Sequence, residues 1–158
     1  MKQLICLITT VLLLGWLTSC SSVRATPENA QAVAYKVEQK DYTITADHAI
    51  PARGKRIYLS GNYDLQVRGD SAIVYLPFFG RAYSATFGED GGIKFADKLY
   101  DYKAEPTKKG DGWNISFKVD TKNDNYSVML LLFNNGNASF SVSSVNKEAI
   151  SYTGQLKP

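Results

Sequence analysis

Cysteine and histidine are nearly absent: the 158 residues hold two Cys and one His. That excludes a disulfide-stapled scaffold and leaves no donor set for a Cys/His zinc site. Charge of one sign is scarce too, with 18 Lys+Arg against 15 Asp+Glu. A net charge of +3 is too weak a field for a dedicated nucleic-acid binder, and no nucleic-acid partner is expected. Proline is sparse at five residues, and neither low-complexity tracts nor internal repeats appear. The glycines are not a phosphate loop, because no Lys-Ser/Thr follows them and no helix begins there. What the chain does have is 44% hydrophobic residues, 10 Tyr and 7 Phe, too rich in core formers for disorder and enough for one domain.

The first twenty residues read as an address. Lys2 gives a short positive region, and Leu4 to Leu17 run almost wholly apolar. That run is shorter than the roughly 20 residues of a membrane span and suits a signal peptide over residues 1–19. It ends in Leu17-Thr18-Ser19-Cys20, which resembles the bacterial lipobox. The resemblance implies cleavage before Cys20 and acylation of its thiol and new amine. Several acyl chains, at about 0.8 kcal/mol per buried methylene, would anchor the domain stably. Cys6 would leave with the signal, so the mature chain would carry no intramolecular disulfide.

Residues 20–26 form the lipidated Cys and a small, polar tether, and residues 27–158 a single β-rich domain. Thr26-Pro27-Glu28 is a helix-start signature. Ala30, Val33, Ala34 and Val37 then draw one apolar stripe. After Asp41 the period switches to two. Tyr42, Ile44 and Ala46; Tyr63, Leu65 and Val67; Trp113, Ile115, Phe117 and Val119; and Ala138, Phe140 and Val142 alternate with polar residues. Gly69-Asp70 predicts a two-residue hairpin turn of type II′, with Ser71 to Leu76 as its return arm. Tyr126 to Phe133 is apolar at nearly every position, as expected of a strand buried on both faces. Ile150, Tyr152 and Leu156 mark a last strand, and Arg56–Ser60, Gly92–Phe95 and Lys98–Ala104 are weaker candidates. The expectation is mainly β: an antiparallel meander of about eight to ten strands closed as a small, lipocalin-like barrel or sandwich, with one short N-terminal helix.

The run Gly61 to Tyr83 reads GNYDLQVRGDSAIVYLPFFGRAY. Its Tyr63-Asp64-Leu65, Gly69-Asp70, Tyr75-Leu76-Pro77, Phe78-Phe79 and Gly80-Arg81-Ala82-Tyr83 resemble the domain-of-unknown-function 4251 family of bacterial lipoproteins. Pro51, Gly54, Gly112-Trp113, Phe133 with Asn135-Gly136, and Ile150-Ser151-Tyr152 with Gly154 extend the likeness over nearly the whole mature chain. The resemblance implies a small β-rich domain and no assigned activity. Ser21 to Arg24 carry no acidic residue, which by comparison with such lipoproteins implies the periplasmic face of the outer membrane. Asp70-Ser71-Ala72 resembles a short periplasmic O-glycosylation motif, which makes Ser71 a candidate acceptor.

Chemistry is thinly signalled. His48, alone in a turn-like Asp47-His48-Ala49, is weak support for a catalytic triad. Asp120, Lys122 and Asp124 alternate faintly like a calcium loop, but Asn125 and Leu131 stand where Gly and Glu are needed. Asp64, Asp70, Glu89, Asp90 and Asp101 show no diagnostic spacing for paired carboxylates. Arg53-Gly54-Lys55-Arg56 and Lys108-Lys109 suit solvated loops better than an anion site. The unusual stretch is Tyr75 to Gly92. Tyr75, Phe78, Phe79, Tyr83 and Phe87 could wall a cavity for a small apolar or lipid-like ligand, with Arg81 on its head group. The alternative is a corner capping the barrel, with Arg81 held by backbone carbonyls, Asp64 or Asp70. The expected function is a membrane-anchored, non-enzymatic envelope binding module without a cofactor. The rival is a structural or protein-interaction lipoprotein with a filled core.

Overall fold

The computed structural model describes residues 26–83 and 91–158. The signal sequence, Cys20 and most of the tether lie outside the described residues, as do Phe87, Gly88, Glu89 and Asp90.

Helix α1 (Pro27–Glu38) starts as its sequence dictates. Thr26 has extended backbone, its Oγ1 accepts the Asn29 N–H at 3.3 Å, and Pro27 occupies the first turn. Of the apolar stripe, Val33 and Val37 are buried. Lys40 follows in the left-handed region (φ 51) and turns the chain into the first strand. The helix docks on one end of the sheet. The Tyr102 hydroxyl donates to the Val37 carbonyl at 3.4 Å, and Lys36 Nζ donates to the Lys157 carbonyl at 2.8 Å.

Nine strands follow: β1 (Asp41–Pro51), β2 (Ile57–Tyr58), β3 (Asp64–Arg68), β4 (Ser71–Leu76), β5 (Ile93–Pro106), β6 (Gly112–Asp120), β7 (Asn125–Phe133), β8 (Asn137–Ser144) and β9 (Ile150–Leu156). All pair antiparallel in the order β2-β1-β3-β4-β5-β6-β7-β8-β9, and β9 pairs back onto β1. With β2 as the extra strand, the other eight close a barrel. Long β1 serves two neighbours on one edge, β3 along Asp41–Thr45 and β2 at His48 and Ala49, while its other edge carries β9. Gly69, at φ +59, is the only positive-φ residue of its turn, as type II′ geometry requires.

Two expectations need correction. The candidates Gly92–Phe95 and Lys98–Ala104 are one strand of 14 residues, β5. Its first part pairs with β4 and its second with β6, and the register breaks between Tyr100 and Lys103, where Asp101 takes φ 54. β7 is not buried on both faces. Tyr126, Val128, Leu130 and Leu132 point inward, while Met129 on the outer face is 65% exposed. A single closed sheet leaves its outside to solvent unless another layer covers it.

The inward side chains fill the barrel. Tyr42, Phe117, Phe140 and Tyr152 are the largest fully buried ones, and Phe140 stacks on Tyr152 with centroids 5.2 Å apart. Tyr102 stacks on Phe117 at 6.3 Å, and Phe95 on Tyr126 at 4.6 Å. An eight-stranded barrel is just wide enough for such filling, and each large side chain contributes about 1.5–3 kcal/mol by its burial. Val33 and Val37 of α1 belong to the same core, so helix and barrel are one folding unit.

The barrel closes where β9 meets β1, and Gly154 makes this possible. A Cβ there would lie 1.6 Å from the Thr45 carbonyl oxygen. Asp47 is bulged out of β1 beside it, between Ala46 and His48. Gly154→Ala is therefore expected to cost about 3 kcal/mol or more in urea denaturation. Gly91→Ala, where a Cβ meets nothing within 4 Å, should leave the midpoint unchanged.

Burial pushes the phenols of Tyr42, Tyr102 and Tyr152 up from the ordinary value, and Tyr102 beside Tyr42 adds to the effect on Tyr42. A raised phenol in the folded state gives stability that is whole below the unfolded value of about 10 and is lost as pH rises above it. Tyrosinate absorbance from Tyr42 and Tyr152 should appear only together with loss of the β-sheet circular dichroism. Titration of all the tyrosines near the ordinary value with the sheet intact would contradict this packing.

Candidate functional site

The segment after β4 crosses the end of the barrel opposite α1 and is strapped down by its backbone. The Tyr152 hydroxyl donates to the Pro77 carbonyl at 2.7 Å. Ala82 bridges Lys147 in the β8–β9 loop, with the Tyr83 N–H on the Asn146 carbonyl at 2.7 Å and the Glu148 N–H on the Arg81 carbonyl at 2.9 Å. That loop is held in turn by a buried ion pair, Lys147 Nζ lying 3.8 Å from Asp124 Oδ2. Phe78 packs against the core, whereas Phe79 is 41% and Tyr83 69% exposed.

Tyr75 and Phe78 share a shallow pocket of about 280 Å³ with Tyr63, Pro77, Gly92 and Lys94. Tyr75, 45% exposed, stacks on Tyr63 from the β3 side, with centroids 5.5 Å apart and planes 19° from parallel. From the β5 side the Lys94 ammonium lies 5.0 Å from the Tyr75 ring centre. Two glycines make room for the rings. A Cβ on Gly61 would meet the Tyr63 ring at 2.6 Å, and one on Gly80 the Phe78 ring at 2.7 Å. The shelf is thus apolar and aromatic, with one cation at its edge. It is suited to a flat or apolar group bearing negative charge.

Of the expected site residues, Tyr75 and Phe78 come together, while Phe79, Arg81 and Tyr83 lie further along the strap. Neither acid considered for Arg81 meets it. Asp64 lies 3.5 Å from Lys157 and accepts from Gln66, and Asp70 sits in the β3–β4 turn at the helix end. The Arg81 backbone N–H donates to Glu148 Oε2 at 3.4 Å, and the guanidinium that pairs with Glu148 is that of Arg53, whose Nε lies 3.8 Å from Oε1. Tyr63 and Lys94 were missed by sequence reasoning. Tyr63 fits the inward phase of an alternating strand, and only the pairing of Asp64 with Tyr75 and of Tyr75 with Lys94 reveals the neighbourhood.

The remaining candidates are dispersed. Nδ1 of His48 accepts from Arg56 Nη2 at 3.2 Å, which places a neutral ring's proton on Nε2, and Tyr58 meets the ring edge-on at 5.4 Å. Asp101 pairs with Lys118 at 3.0 Å. Asp120 accepts from the Tyr100 hydroxyl at 2.7 Å, while Asp124 lies in the β6–β7 turn, its backbone N–H donating to Thr121 Oγ1 at 3.0 Å. Among the described residues, no three acidic, His or Cys side chains are grouped to hold a metal ion. Ser71 is half-buried at the start of β4, paired with Arg68 and Lys98.

The shelf's architecture predicts that Gly61→Ala drives the Tyr63 ring off Tyr75. Near-ultraviolet circular dichroism should lose the same tyrosine signal as Tyr63→Ala, with the far-ultraviolet spectrum unchanged. The loss of stability should be about 0.5–1.5 kcal/mol, the worth of one aromatic pair. An unaltered tyrosine signal would contradict the stack.

No curated protein matches this chain. A solved structure of a DUF4251 family protein from Bacteroides eggerthii DSM 20697 shares its fold, with a TM-score of 0.67 over 87% of this chain and 92% of that one, at 17% identity. The model of the domain of unknown function DUF4251 matches residues 24–156, which span the helix and the whole barrel. With that match and the closed barrel both in hand, this chain belongs to the DUF4251 family.

Proposed function

We propose that the protein is a lipid-anchored component of the bacterial outer membrane, facing the periplasm, that works without catalysis as an interaction module. The aromatic end of its barrel meets another envelope protein. The observation that carries this reading is the contrast between a filled interior and an aromatic exterior. The inward Tyr42, Phe117, Phe140 and Tyr152 occupy the space a carrier would keep open, while Phe79, Tyr83 and Tyr58 stand exposed. Exposed aromatics on a rigid backbone are efficient contact residues, because little side-chain freedom is lost on binding. His48 and the carboxylates of Asp64, Asp101 and Asp124 each engage a different cation, which supports a non-enzymatic role.

The lipobox at Cys20 supports the anchor. Helix α1 covers the opposite end of the barrel, so a tether entering the helix leaves the aromatic end turned away from the lipid surface. A second reading, a small apolar ligand with an anionic group, is favoured by the Tyr75–Phe78 pocket with Lys94 at its edge.

A photo-crosslinking residue placed at Tyr83 of the anchored protein in living cells should capture one defined envelope protein. The same residue at Lys109, on the helix end, should not. Absence of any Tyr83-specific adduct, with a retained small molecule in native mass spectra that Phe78→Ala abolishes, would replace the first reading by the second.

A further inference from the structure

We infer that the protein forms a two-fold homodimer through the outer wall of β6 to β9. The charge distribution raises the question. In a chain that is 21% charged, β7, β8 and β9 contain no Asp, Glu, Lys or Arg at all. These three strands are neighbours in the barrel, so the neutral residues form one continuous face. Depletion of charge marks the centre of protein interfaces. It matters most where a patch must face its own copy, since a surface of one sign would repel itself.

The shape of the face is self-complementary. Strand register aligns Lys103, Ser116, Met129, Ser141 and Ser151 in one row across the outer wall. Glu105, Asn114, Leu131, Ser139 and Thr153 form the next row. The short serines leave a trough of about 420 Å³, with Met129 and Leu131 as its apolar wall. Met129 stands beside it as a long, unbranched knob, 65% exposed, of the kind that adapts to irregular hollows. A two-fold axis lets each Met129 enter the trough of the other copy.

The rim completes the match. Lys103 and Glu105 lie two residues apart on the same edge of the trough, and both line it. In an isologous contact, residue i of one copy meets residue j of the other and the reverse holds as well. Lys103 can therefore face Glu105 of the second copy in both directions. This face lies on the barrel wall rather than at the aromatic end, so the inference stands apart from the reading proposed above.

The test uses residues 21–158, which keep α1 and the barrel core together and contain no cysteine. Sedimentation velocity should show a monomer–dimer equilibrium. Met129→Asp should weaken it by about tenfold or more, by setting like charges against each other at the axis. Lys103→Glu should weaken it as well, and adding Glu105→Lys should restore it. Met129→Cys should form a disulfide-linked dimer on mild oxidation, whereas Ile73→Cys on the β4 wall should not. A dimer indifferent to Met129→Asp, or a Met129→Cys chain that cross-links no better than Ile73→Cys, overturns the inference.

Discussion

The pairing of β9 with β1 is the contact on which the rest depends, and it is made at very close range. The β9 backbone at Gly154 approaches Thr45 and Ala46 so nearly that no side chain fits between them. Closure there removes the free edges that an open meander would expose to other chains. It also fixes the orientation of the wall on either side. Opposite Gly154, β1 bulges at Asp47, whose carbonyl accepts the Leu59 N–H at 2.8 Å and so positions β2. The first half of β1 belongs to β3 and the helix end, and the second half to β2 and the loop end.

Closure and filling together direct the chemistry outward. Among the described residues, tyrosine and phenylalanine side chains pack the interior of a barrel of this size. The aromatic strap over the loop end is therefore an external surface. Its geometry is fixed by backbone contacts to the β8–β9 loop, by the Tyr152 hydroxyl on the Pro77 carbonyl and by the Lys147–Asp124 ion pair that holds that loop. Glycine contributes to the site by leaving space: Gly61 and Gly80 let aromatic rings fold back against the main chain and present fixed edges. Such preorganisation reduces the ordering cost of any contact made there.

Much of this was legible in the sequence because the periods are local. The alternation from Trp113 to Val119 locates β6, the Thr26-Pro27 pair starts α1, and Gly69-Asp70 sets the β3–β4 turn. Other features depended on partners far away in the chain. β5 looked like two strands because its halves pair with different neighbours across a kink at Asp101. β7 looked doubly buried because hydropathy cannot tell an inner apolar face from an outer one, and Met129 lies on the outer one. Barrel and sandwich could not be separated by pattern alone, since the deciding contact joins Ile44 near the start of the domain to Leu156 near its end. Within the site, Tyr75 and Phe78 followed from their place in an aromatic-rich connection. Tyr63 and Lys94 required the register of three strands.

The closed, filled barrel is the claim on which both the external site and the neutral wall rest. Amide hydrogen exchange along the seam tests it most directly. The amides of Thr153 and Gln155, on the β9 edge that faces β1, should exchange in the slowest class, together with those of Val128 and Val142 in the middle of the sheet. Seam amides that exchange as fast as those of an exposed edge strand would mean that β1 and β9 part readily. The barrel would then be an open sheet, and the account would fail at its first step.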